Sequence, residues 1–315
     1  MKNWIKTAAV TGLSSIRTRA TLRLLKSARQ RGYRLARVVK WLDPNTLRKY
    51  SAFKPRPFPP VESQVAGATM RLDLNDHIQY RAYLQGSFDD VPIACALATC
   101  DAQTAYIDVG ANIGTTSIPV AARHVPTICI EASIGTMARL AANARLNSLG
   151  PFTMLQVAAS NAAAHLQLHI PATGNDGAAS VYAGWNRSAR ESRIETVAAV
   201  CVDTMVSSLT DRPVGCVKID VEGQELAVIE GLQETLHRHR PAVVFEWRVD
   251  LMQQNGVAVV DPRPLFPDGY QLHAVSLSPN GQIQLAPFDP FTMYENAVAV
   301  DDVAVAKLLR YRHHT

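Results

Sequence analysis

YIDVGANIGTTS, from Tyr106 to Ser117, is an apolar run that ends in an acid and then turns through Gly110 and Gly114 toward a helix. A parallel strand feeding a helix through a glycine turn brings backbone N–H groups to the carboxyl edge of the sheet, where ligands bind. The spacing Gly110-Ala111-Asn112-Ile113-Gly114 does not meet the Gly-x-Gly-x-x-Gly dinucleotide fingerprint, so its pyrophosphate logic loses support. A second acid comes where a ribose wants one. The next apolar run, TICIEAS, ends in Glu131, about 20 residues beyond the first turn. Together the two predict an adenosine moiety without a required diphosphate, and S-adenosylmethionine fits that description.

Outward from this stretch, short β-branched runs alternate with helical segments: YIDVG then TTSIPVAARH, TICIEAS then IGTMARLAANARLN, FTMLQVAAS, VGCVKIDVEG then QELAVIEGLQETLHRH, and PAVVFEWRV. That alternation predicts an α/β domain with a doubly wound, mostly parallel sheet. MRLDLND, before it, alternates like a strand, and HIQYRAYLQGSFDD reads as a helix or loop. An insertion beginning at His165, rich in Gly and Asn, reads as a loop over the ligand edge framed by extended pieces. The tail GYQLHAVSLSPNGQIQL alternates around Pro279-Asn280-Gly281 and predicts a closing antiparallel hairpin.

Strand ends on the carboxyl side are where chemistry belongs. VKIDVEGQE brings Lys218, Asp220, Glu222 and Glu225, and VVFEW brings Glu246. Lys218 in an apolar strand calls for a partner, and Asp220, two residues on, points to the same side. Asp220 and Glu246 are the candidate bases for taking a hydroxyl proton during methyl transfer, with Glu222 beside them. The three carboxylates also suit a divalent ion such as Mg²⁺. Simpler readings stand beside these. The glycines could serve close packing, Asp220 could be only the partner of Lys218, and Glu222 and Glu225 could oppose a helix dipole. His165, His169 and His273 lack metal-ligand spacing and stay outside the site.

The chain is 315 residues long, 47% hydrophobic and 19% charged, enough for one large or two modest domains. Its net charge of +5 averages two unlike parts. Fifteen of the 32 Lys and Arg precede Val61, against the single acid Asp43, so the remainder is acidic. Apolar residues from Leu13 to Leu42 recur at mostly helical spacing among arginines, and KPRPFPPVE closes the arm. The expected organisation is a basic helical extension with a Pro-rich linker over 1–60 and a catalytic domain over 61–315. Five cysteines without C-x-x-C pairing, mostly in apolar runs, predict buried thiols in a reducing compartment, hence a cytoplasmic protein. No apolar stretch reaches the length of a membrane-spanning helix.

DVGANIG at Asp108 to Gly114, Glu131, the pair Asn143 and Asn147, AAS at Ala158 to Ser160, VDTMV, and above all KIDVEGQELAVIEG at Lys218 to Gly231 together resemble the FkbM-type S-adenosylmethionine-dependent methyltransferases. The resemblance covers roughly Met70 to Val300. It implies a Rossmann-like class I methyltransferase fold and O-methylation of hydroxyls on saccharides or secondary metabolites. It also implies cofactor roles for Asp108, Gly110, Asn112 and Glu131. The full candidate cofactor set adds Ala111, Gly114, Thr115, Ser133, Ser160 and Asp220. FDD at Phe88 to Asp90 departs from the aromatic-plus-glutamate motif of many relatives, and its function is left open. The basic arm lies outside the resemblance and suits an anionic membrane surface at the inner face, where a glycolipid acceptor would be found, or a second subunit; nucleic acid is disfavoured. Two further readings remain: a nicotinamide-dependent oxidoreductase, and a non-catalytic membrane or partner adaptor with a relic cofactor pocket.

Overall fold

The computed structural model describes residues 60–171, 177, 179–183 and 192–313, so the basic arm and the linker lie outside the described residues. A hairpin of β1 (Val61–Val65) and β2 (Ala68–Leu72) leads into α1 (His77–Gln85) and α2 (Asp90–Thr99). The main unit then runs β3 (Ala105–Val109), α3 (Ser117–Ala121), β4 (Thr127–Ile130), α4 (Ile134–Ala144) and β5 (Phe152–Leu155). After a second small sheet and α5 (Val202–Leu209) come β9 (Val214–Ile219), α6 (Glu225–Glu230), α7 (Gln233–His239), β10 (Ala242–Trp247) and α8 (Val249–Gln254). The chain closes with β11 (Gln271–Leu277), β12 (Ile283–Pro287), β13 (Tyr294–Val300) and α9 (Asp302–Arg310).

Eight strands form one sheet in the order β12-β11-β13-β10-β9-β3-β4-β5. β5, β4, β3, β9 and β10 are parallel, and β13 joins them antiparallel to β10. The mostly parallel, Rossmann-like sheet expected from the sequence is therefore present. The predicted hairpin forms, pairing Leu277 with Ile283, but it occupies the edge. The strand that seats it is β13, antiparallel to β11 as well. YENAVAV was not among the strands read from sequence.

Helices cover both faces, as two hydrophobic clusters record. Ile107, Val217, Ile219, Val243 and Phe245 pack with Val228 and Leu236 on one face. Tyr106, Cys216, Val244 and Val298 pack with Ile93 and Leu308 on the other. The period-2 alternation of each strand thus assigns every residue to a side. Asp108, Lys218 and Glu246 follow Tyr106, Cys216 and Val244 by two and share their face, beside α2.

Two expected elements are split. FTMLQVAAS is not one strand: β5 stays in the main sheet, while β6 (Ala158–Ser160) leaves it to pair with β8 (Ser192–Cys201), itself antiparallel to β7 (Ala164–Pro171). The helix after VKIDVEG breaks at Gly231, where an added Cβ would lie 2.1 Å from the Ser160 carbonyl oxygen. Close approach of β6 to that position excludes a side chain there. The five cysteines are free, and all but Cys201 are buried. Among the described residues no helix is long and apolar enough to cross a membrane.

Candidate active site

A cavity of about 680 Å³ opens at the carboxyl ends of β3, β4, β9 and β10. Gly110, Ala111, Asn112, Thr115 and Glu131 line one side of it, and Asp220, Glu222 and Glu246 another. Arg81 and Asp89, and Gly177, Ala179 and Val181 from the insertion, complete the wall. The expectation of a loop over the ligand edge is met by those described residues, with β7 and β8 as its frame. None of the described histidine side chains lines the cavity.

The glycine turn is built by close approach. Gly110 has φ +76°, and a Cβ there would sit 1.8 Å from the carbonyl oxygen of Asp220. Only glycine lets the β3 loop lie against the β9 loop. Gly114, at φ +91°, backs onto Ile118 and Leu140 at 2.6 Å from where a Cβ would be, so its role is packing and it does not line the cavity. Asn112 takes a left-handed conformation, φ +50°, which Asn tolerates better than most residues. Its N–H donates to Glu131 Oε2 at 2.9 Å, and the Ser133 N–H donates to Oε1 at 2.9 Å. Each carboxylate oxygen keeps acceptor capacity, and the side chain lines the cavity. Burial raises the Glu131 carboxyl above the usual range, opposed by those two backbone donors.

Beneath the turn lies a buried ion cluster. Parallel pairing sets Asp108 beside Lys218, whose Nζ is 3.2 Å from Asp108 Oδ1 and 3.4 Å from Asp220 Oδ2. The ammonium also donates to the Gly110 carbonyl at 2.7 Å, and Thr116 Oγ1 donates to Asp108 Oδ2. Burial works against the Lys218 charge, yet Asp108, then Asp220 and Asp89, outweigh it and raise its affinity for the proton. Asp108 is wholly buried and does not reach the cavity wall. It acts here as the anchor of Lys218, so direct cofactor contact is not its place. Ser133 and Ser160 also stand back from the cavity. Ser133 caps α4, and Ser160 abuts Gly231.

Asp220, Glu222 and Glu246 converge, with one oxygen of each within 4.8 Å of the others. Burial pushes the Glu246 carboxyl up to about 10, helped by Asp220, Glu222 and Glu225 and opposed by Arg248. Glu225 is not merely a dipole partner. Its Oε1 accepts from Val221 N at 3.2 Å and Gly223 N at 3.1 Å, fixing the loop that carries Asp220 and Glu222, and burial pushes it up to about 7.

Other residues of the shared motifs hold the frame. Asn143 Oδ1 accepts from Arg71 N at 2.8 Å and its Nδ2 donates to Ile113 O at 3.1 Å, while Asn147 brackets Thr69 through both N and O at 2.8 Å. Asp203 receives the N–H groups of Glu234 and Thr235 at the start of α7. Sequence reading missed Arg81 and left Asp89, within FDD, without a role. The available signal was Ile78, Arg81 and Gln85 recurring on one face of α1, all of which line the cavity.

A family model described as the methyltransferase FkbM domain matches residues 108–269, just over half of the chain. Among solved structures, a methyltransferase FkbM from Methylobacillus flagellatus aligns at TM-score 0.39 and 13% identity, over 71% of this chain and 52% of that one. The tRNA (uracil-54, C5)-methyltransferase of Pyrococcus abyssi, in complex with S-adenosyl-L-homocysteine, aligns at TM-score 0.39 and 10% identity, over 76% of this chain and 43% of that one. The precorrin-6y C5,15-methyltransferase of Geobacter metallireducens aligns at 0.37 and 11%, over 66% and 87%. The match thus spans about half the length of the first two. No curated protein matches the chain.

Proposed function

The chain belongs to the FkbM methyltransferase family, and we propose that it transfers the methyl group of S-adenosylmethionine to a hydroxyl oxygen of a saccharide, glycolipid or secondary metabolite. The observation that carries this reading is Glu131, held at the cavity by two backbone N–H groups with acceptor capacity to spare for a pair of ribose hydroxyls. Gly110, Ala111, Asn112 and Thr115 lie along the same wall. The donor set therefore fits an adenosine, and the bound cofactor supplies an electrophilic methyl on a sulfonium.

What the chain itself contributes is alignment and proton transfer. Asp220, paired with Lys218, accepts the proton of the acceptor hydroxyl. Glu246, neutral in the open cavity, donates a hydrogen bond that orients the acceptor, and Glu222 completes the acidic wall. Convergence of three carboxylates favours a second version, in which Asp220, Glu222 and Glu246 would hold a divalent cation such as Mg²⁺, which would polarise the acceptor hydroxyl. Calorimetry with S-adenosylhomocysteine and with NAD tests the cofactor, and release of S-adenosylhomocysteine from a panel of glycans tests turnover. Binding of NAD alone supports the oxidoreductase reading. Binding without turnover on any acceptor supports the adaptor. Loss of turnover on chelation, restored by Mg²⁺, selects the metal version.

The arm over 1–60 is proposed to hold the acidic body at an anionic membrane, each Lys or Arg near the surface contributing about 1 kcal/mol. Deleting it should abolish co-sedimentation with anionic liposomes at low salt and leave cofactor binding intact. A truncation that instead dissolves a homo-oligomer assigns the arm to subunit packing.

A further inference from the structure

The cations on the cavity wall are unequally engaged. Lys218 is spent on Asp108, Asp220 and the Gly110 carbonyl. Arg248 lies bidentate on Asp250 at 2.8 and 2.7 Å, with Glu246 at 3.7 Å. Arg81 has no carboxylate within ion-pair distance among the described residues. Its guanidinium lies 5.3 Å over the Phe88 ring, which fixes its direction without neutralising it. With Ile78 and Gln85 it belongs to the face of α1 that lines the cavity.

Asp89 stands on the same wall, at the N-terminal end of α2, and makes no capping hydrogen bond to that helix. It is close enough to Asp220, Lys218, Asp108 and Arg81 for all four charges to act on it. Burial, with Asp220 next, pushes its carboxyl up to about 8, the mark of an acid that no cation has fully compensated.

Resting on the S-adenosylmethionine reading above, we propose that Arg81 and Asp89 form the subsite for the amino-acid end of the cofactor, Arg81 taking the α-carboxylate and Asp89 the α-ammonium. The charges select a zwitterion. A simple anion drawn to Arg81 would leave Asp89 without the cation that ionises it and would face the carboxylates beyond, and a simple cation would leave Arg81 unanswered. The position suits the role as well, because Arg81 and Asp89 line the same cavity as the Gly110 turn, Glu131 and Asp220, and Asp89 lies near enough to Asp220 and Asp108 for their charges to act on it. A hydrogen-bonded guanidinium–carboxylate pair in such a site is strong and geometrically selective.

Three ligands separate the contributions: S-adenosylhomocysteine, its decarboxylated amine analogue, and 5′-methylthioadenosine, which lacks the amino-acid end altogether. Each is titrated calorimetrically into the full chain, Arg81→Gln, Arg81→Lys and Asp89→Asn. Arg81→Gln should weaken S-adenosylhomocysteine about tenfold or more, with the amine analogue and methylthioadenosine held within about twofold; Arg81→Lys should recover part of the loss. Asp89→Asn should weaken both amine-bearing ligands and spare methylthioadenosine, whose binding also shows that each variant is folded. Equal weakening of all three ligands, or no change for any, overturns the subsite. Wild-type protein that binds none of the three overturns the cofactor reading itself, a result distinct from either.

Discussion

Replacing Lys218 by Met should strand two carboxylates. The ammonium sits between Asp108 at 3.2 Å and Asp220 at 3.4 Å, and it also holds the Gly110 carbonyl at 2.7 Å. Asp108 is wholly buried, so after the change it can be solvated only by Thr116. Removing one partner of a buried pair costs about 3–5 kcal/mol, and a domain of this size shifts roughly 2–4 °C per kcal/mol, so Tm should fall by about 6–20 °C. Lys218→Met with Asp108→Leu removes both buried charges and should recover most of the loss. Thermal unfolding of both variants measures this. A single substitution that costs under about 1 kcal/mol, or a double no more stable than the single, refutes the view that this pair bears the burial penalty.

Glu131→Ala should weaken S-adenosylhomocysteine binding by about 2 kcal/mol or more in a folded variant, read by calorimetry, since charge-assisted bonds to the ribose are lost. Gly110→Ala should both destabilise the fold and abolish cofactor binding, because the new Cβ would fall 1.8 Å from the Asp220 carbonyl and φ +76° disfavours it; circular dichroism melts with parallel titration check this. Asp220→Asn should lower turnover roughly 100-fold with cofactor affinity less affected, and Glu246→Gln, which keeps the donor, should lower it less; equal losses would return Glu246 to the role of base. Glu246 also sets a pH signature. Its folded pKa of about 10 lies above the ordinary 4.5, so the folded state holds the extra proton and this group's contribution to stability falls as pH rises between those values. Glu246→Gln should therefore gain Tm relative to wild type from about pH 6 to about pH 9; a constant difference would refute the assignment.

Much of the site was legible before folding was considered, and the reason is locality. A glycine turn after an apolar run, and acids at strand ends, are set within a dozen residues, so Gly110, Asn112, Glu131, Asp220 and Glu246 could be placed at one sheet edge from periodicity alone. Lys218 needed a partner for the same local reason, and Asp220 was the partner sequence offered. The nearer carboxylate, Asp108, belongs to another strand, and only the parallel register of β3 beside β9 brings it to 3.2 Å.

Motif membership by itself did not separate contact from support. Asp108, Gly114, Ser133 and Ser160 share motifs with the cavity residues yet serve as ion partner, packing point, helix cap and backbone neighbour. Asn143 and Asn147 fasten the β2 hairpin to α4 across more than 70 residues of chain, a job invisible to spacing. The strand β13 was hidden as well, since its place between β10 and β11 depends on pairing with segments on either side. Sequence by itself determined the alternating architecture, the edge where the cavity opens and the acid Glu131 on its wall, because each follows from short-range pattern. Which carboxylates are buried together, and that Arg81 and Asp89 line the same cavity as Glu131, was decided only by the tertiary structure, because desolvation and charge coupling arise between elements that the chain keeps far apart.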